Sequence, residues 1–174
     1  MAKTSRQNDL RLGDPTEVKP RVRERIYVTF TGLAVLLAFG VHVDDTDPWT
    51  VAIALLIGVI GAVLAGFFAD VIAELAVDGR LPSAKAMARY IGVSASGLAT
   101  AVVPLGFLVA AGIGLLDLGI AIFVAITTMA FGLGVIAFAA VARARLPWWA
   151  KLAVFVGELV FAAVVIVVKL LAHG

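Results

Sequence analysis

Beyond Arg25 the chain falls into long stretches without a single charge: Ile26 to Val43, Trp49 to Ala69, Tyr90 to Leu116 and Leu118 to Ala142. A fifth, Trp148 to Ala172, is interrupted only by Lys151, Glu158 and Lys169. An uncharged run of about 18 or more apolar residues is long enough to cross a bilayer as a helix. Composition agrees, with 62% hydrophobic residues against 15% charged, where soluble domains carry about 25% charged residues. The pattern predicts an all-α membrane protein with five transmembrane helices, at about 26–43, 49–78, 84–116, 118–143 and 148–172. Residues 1–25 form a polar arm and 26–174 the membrane domain. Pro15 and Pro20 predict that no long helix forms in the arm, which is read as mobile and helical only from Arg21. The arm's four acids are unlike a basic signal-peptide n-region, so the first run is read as a retained span.

Turn chemistry punctuates these runs. Pro48 suits the first position of the second helix and Gly79 its end. Ser83 is a candidate N-cap for the third. Asp117, between Gly114 and Gly119, marks a tight hairpin. Charge gives an independent test of the layout. Lys3, Arg6, Arg11, Lys19, Arg21, Arg23 and Arg25 lie in the arm. Arg80, Lys85 and Arg89 follow the second run, and Arg143, Arg145 and Lys151 follow the fourth. Thirteen of the fourteen basic residues thus fall on one side. Asp44, Asp45, Asp47 and Asp117, with Lys169, fall on the other. Basic residues collect on the cytoplasmic side, so the N-terminus is expected inside and the C-terminus outside. Trp49 then suits the outer interface and Trp148 and Trp149 the inner one.

The formal charge of +2 gives no reason to expect a nucleic-acid partner. With no cysteine there is no disulfide, thiolate metal site or cysteine nucleophile. No catalytic triad, His-rich zinc motif or phosphate loop occurs, and neither an enzyme activity nor a cofactor is expected. The chemistry-bearing candidates are carboxylates. Asp70, Glu74 and Asp78 follow one another at intervals of four beyond the second apolar run, so neighbours share a helical face. They are either a solvated helix end, with Arg80, Lys85 or Arg89 as counter-ions, or a ladder of oxygen ligands for a hard or borderline divalent cation. Glu158 lies roughly 15 Å into the fifth helix. It is either a proton or cation carrier or a protonated acid bonded to Ser96, Thr100, Thr127 or Thr128. His42 reads as interfacial, Lys169 can snorkel, and Pro104 is expected to kink the third helix. Gly32, and the row Gly58, Ala62 and Gly66, would let another helix approach closely.

The segment Arg23-Glu24-Arg25-Ile26-Tyr27-Val28-Thr29-Phe30-Thr31-Gly32-Leu33 resembles the start of helix 1 in the vacuolar iron transporter (VIT-like) family. Ala65-Gly66 through Ala73-Glu74 is similar to its helix 2 pattern, with Glu74 on the glutamate. Pro104-Leu105 and Ala142-Arg143-Ala144-Arg145 are similar to its helix 3 pair and its basic turn before helix 5. The resemblance spans residues 21 to 172. It implies five helices, an internal N-terminus, an extended helix 2, a homodimer through helices 1 and 2, and export of divalent cations such as iron or manganese. The path would run between the two helices 1, with Thr29 and Thr31 offering hydroxyl oxygens and Glu158 assisting by proton exchange. Thr31 stands where the family has an aspartate, Asp70 where it has a methionine, and the long insertion between helices 2 and 3 is a short turn here. A non-transporting accessory membrane protein of the same fold is the alternative. The Ala-, Val- and Gly-rich composition suggests a bacterial plasma membrane.

Overall fold

The computed structural model describes residues 15–143 and 147–150, together with 152, 153 and 156. The chain divides into two compact units, Met1–Leu133 and Gly134–Gly174. All regular structure among the described residues is helical: α1 Pro15–Phe39, α2 Pro48–Asp78, α3 Ala84–Leu98, α4 Val102–Gly112 and α5 Leu118–Arg143, with 3₁₀ turns at Val43–Asp45 and Ala99–Ala101. Three stretches among the described residues are long and apolar enough to cross a membrane: Pro48–Asp78, Ala84–Gly112 and Leu118–Ala139. Large apolar side chains such as Ile57, Phe123 and Phe131 stay exposed on them. A helix apolar on every side suits lipid on its outer face.

Local chemistry sets the helix ends. Asp47 caps α2, its carboxylate accepting the Thr50 amide at 3.1 Å, and Pro48 fills the first turn, where its missing N–H costs nothing. Gly79 stops α2 in the left-handed region at φ 62°, its amide bonding the Leu75 carbonyl. Ser83 caps α3 through the Ala86 amide at 3.2 Å, and Asp117 receives the Ile120 amide at 3.2 Å.

Two expectations need correction. The arm does not stay unstructured to Arg21: α1 begins at Pro15 and carries Pro20 inside it. Pro15 fits a first turn, and Pro20 removes only one backbone bond, near an end where water can satisfy the freed carbonyl. The third helix stops at Gly112, short of 116, and passes from α3 to α4 through the 3₁₀ turn at Ala99–Ala101. Pro104 accounts for that turn, because it cannot donate to the Thr100 carbonyl four residues earlier.

Close contacts give the topology of the first unit. Gly58 faces Val35 and Thr31, and Gly66 faces Glu24, so α1 and α2 are antiparallel. Trp49 lies on Gly112, Val63 on Gly97, and Glu74 against Tyr90, so α2 runs antiparallel to α3 and α4. Gly40 faces Ile122 and Gly32 faces Met129, so α5 returns antiparallel to α1. The core between them contains Val28 and Leu36, Leu55 and Val59, Leu108, and Ala121 and Ile122. This up-down-up-down order puts Asp44, Asp45, Asp47 and Asp117 at one end. Arg23, Arg80, Lys85 and Arg89 collect at the other. The small residues Gly32, Gly58 and Gly66 are used inside the chain: a Cβ on each would meet its own neighbours within 3.2 Å.

In the second unit the described residues include the last turns of α5, and a helical turn from Trp148 in which the Ala150 amide bonds the Pro147 carbonyl at 3.0 Å. Trp148 and Trp149 are exposed.

Candidate functional site

At the basic end of the first unit α2 projects past its apolar run, and α1 and α3 pack beside it. Together they border an open groove of about 400 Å³, lined by Pro20 and Arg23 of α1, Asp70, Glu74 and Asp78 of α2, and Arg89 and Tyr90 of α3. Glu74 and Asp78 also face a second hollow of about 380 Å³, closed by Arg80, Leu81 and Ser83. The carboxylate ladder is therefore the spine of the site.

Its members differ in what they touch. Asp70 is paired with Arg23 at 2.8 Å, a bridge joining α1 to α2. Glu74 accepts the Tyr90 hydroxyl proton, which ties α2 to α3. The Arg89 guanidinium lies 5.3 Å from the centre of the Tyr90 ring, within cation–π range. Asp78 is exposed at the rim. Among the described residues no three His, Cys, Asp or Glu side chains gather as a metal centre. Helix geometry explains this: Asp70 and Asp78 are eight residues apart, about 12 Å along the axis. One ion cannot touch the whole ladder.

Thr29 and Thr31 lie on α1. The Thr29 hydroxyl donates to the Arg25 carbonyl at 2.7 Å and the Thr31 hydroxyl to the Tyr27 carbonyl at 3.0 Å. Thr29 is buried inside the chain, and each oxygen keeps acceptor capacity. Glu158 lies outside the described residues. The hydroxyls of Ser96, Thr100, Thr127 and Thr128 each donate to a carbonyl of their own helical stretch and keep acceptor capacity.

One buried acid was missed by sequence reasoning. Glu24 sits between Arg23 and Arg25 and reads as part of a solvated charged triplet, yet it is 3% exposed. It belongs to the α1 row Glu24, Val28, Gly32, Leu36, spaced by four and buried throughout. That register was the available signal. Its carboxyl lies where Gly66 and Gly97 lack side chains: a Cβ at Gly66 would come within 2.7 Å of Oε2 and 2.9 Å of Oε1, and one at Gly97 within 3.1 Å of Cγ. Oε1 is buried and has no hydrogen-bond partner among the described residues. Burial pushes the carboxyl above its ordinary value of 4.5. The Arg23 charge draws it down, and Asp70 pushes it up again.

No protein-family model, curated protein or solved structure matches the chain.

Proposed function

We propose that this chain is a five-span VIT-like membrane transporter that exports divalent cations such as iron(II) or manganese(II) from the cytoplasm, working as a homodimer through helices 1 and 2. The observation that carries the reading is the open groove lined by Asp70, Glu74 and Asp78 at the basic end of the first unit. Three carboxylates against two guanidiniums leave the groove negative, as cation capture requires. Glu74 and Asp78, which line both hollows, supply the collecting oxygens. Asp70, held by Arg23, guards the way inward. With the small residues of α1 and α2 occupied inside the chain, the share of the subunit contact on α1 falls to its outer apolar face, around Val22, Ile26, Tyr27 and Phe30. Glu158, in the fifth span, is assigned to proton exchange.

The test is flux of iron(II), manganese, cobalt and zinc into or out of liposomes bearing a pH gradient. Glu74→Ala should weaken cation affinity several-fold, and Glu74→Asp should keep part of it. Glu158→Gln should leave binding intact and alter the pH dependence of flux. Flux of none of the four ions would leave the second reading, a non-transporting accessory protein of the same fold. The partners already held by Asp70 and Glu74 favour that reading, as does Thr31 at the family's aspartate position.

A further inference from the structure

Glu24 sits where a fold seeking only stability would place an aliphatic side chain. It continues the buried row through Val28 and Leu36, and both of those are fully buried. A carboxyl there has one oxygen, Oε1, without a hydrogen-bond partner among the described residues. Leaving a buried acceptor unmade forfeits its hydration without return, and the loss is greater when the group is charged. The nearest cation does not relieve this, because Arg23 turns its guanidinium to Asp70. Two glycines on two different helices clear the space. Alanine at Gly66 would press on both carboxylate oxygens, and alanine at Gly97 on the side-chain stem. An acid kept in a made-to-measure slot, with the neighbouring guanidinium paired elsewhere, holds a proton more readily than a charge.

The groove lies close to the slot, through Arg23 on α1 and Asp70 on α2. On α2, Gly66 lies one helical turn from Asp70, and Asp70 one turn from Glu74. On α1, Arg23 adjoins Glu24 in the chain. Arg23, Asp70 and Glu74 all line the groove. The charged groups acting on Glu24 are Arg23 from its own helix and Asp70 from α2. From α3 it meets Gly97, and the nearest titratable group of that helix lining the groove is Tyr90, which is bonded to Glu74.

We propose that Glu24 is a proton-binding carboxyl in the seam of α1, α2 and α3, loaded and unloaded through the groove, with the Arg23–Asp70 ion pair as the contact that shuts it off. The carboxylic acid releases its proton to water in the groove and becomes a carboxylate. Arg23, freed from Asp70, is the cation at hand to balance that charge. The use of this proton in moving a divalent cation rests on the transport reading above; the existence of the site does not.

The experiment is infrared spectroscopy of the whole protein in liposomes, following the C=O stretch of protonated carboxyl groups as pH is raised. Wild type should lose a band that Glu24→Gln lacks at every pH. In Gly66→Ala the added methyl should crowd the carboxyl out of its slot and bring the midpoint of that loss down toward 4.5. In the same liposomes, divalent-cation flux should depend on the pH gradient in wild type, and that dependence should weaken in Glu24→Gln, which keeps Glu158. A spectrum in which Glu24→Gln removes no titrating band overturns the proposal, as does an unchanged midpoint in Gly66→Ala. A Glu24 band that titrates without any cation flux upholds the proton site and ends the transport reading instead.

Discussion

Gly112 and Gly32 show how differently two close approaches can resist a methyl group. At Gly112 a Cβ would strike the Trp49 ring at 2.7, 3.0 and 3.1 Å. That ring is rigid, so Gly112→Ala must shift a helix or expel the indole, which costs about 1–3 kcal/mol. At Gly32 the nearest atoms are Met129 Cε at 2.5 Å and Sδ at 3.0 Å, the far end of a flexible side chain. Gly32→Ala should therefore cost less, and thermal unfolding of the two variants in detergent gives the order. Glu24 makes the other prediction at this scale. Its folded pKa is raised, so the native state binds the proton more tightly than the unfolded chain does. Stability is then full below about 4.5 and falls as pH rises through the raised value. The melting temperature of wild type should decline across that window more than that of Glu24→Gln. Equal slopes for the two would contradict the assignment. Sequence patterning could not separate Glu24 from its exposed neighbours by charge; only the interval of four to Val28, Gly32 and Leu36 carried the information, and three charged residues in a row concealed it.

Among the elements, the connection between α2 and α3 is the most sharply specified by local chemistry, and it positions Glu74 against Tyr90. Gly79 adopts φ 62° with open space around its Cβ site, so Gly79→Ala isolates backbone strain from packing and should cost about 1–2 kcal/mol. Ser83→Ala removes the acceptor of the Ala86 amide and should cost about 1 kcal/mol. If the turn holds the groove together, both should also weaken protection of amides near Tyr90 in hydrogen exchange. These caps were legible in the sequence because a cap depends on residues two or three positions apart. The start of α1 was not, since one proline inside a helix removes a single bond that packing further along can outweigh. The Arg23–Asp70 and Glu74–Tyr90 contacts join residues 47 and 16 positions apart. The ladder itself could be read from its spacing, but which rung is paired depends on how α1 and α3 lie beside α2.

For the whole molecule, the helix order and the charge pattern bear on the same question of sidedness. In the first unit the antiparallel contacts bring Asp44, Asp45, Asp47 and Asp117 to one end and Arg23, Arg80, Lys85 and Arg89 to the other. Bilayer insertion favours basic residues on the cytoplasmic side, so the groove should open inward and the acidic turns outward. The chain has no cysteine, so single cysteines report position without background. Asp44→Cys and Leu115→Cys should react with a membrane-impermeant maleimide added to intact cells. Leu81→Cys, exposed in the turn after α2, should react only once the membrane is opened. A reporter fused after Gly174 tests the fifth span separately. With five crossings it should be active only if it works outside the cytoplasm; with four it should work only inside. Labelling of Leu81→Cys in intact cells would reverse the orientation, point the carboxylate groove outward and turn the proposed direction of cation movement from export to import.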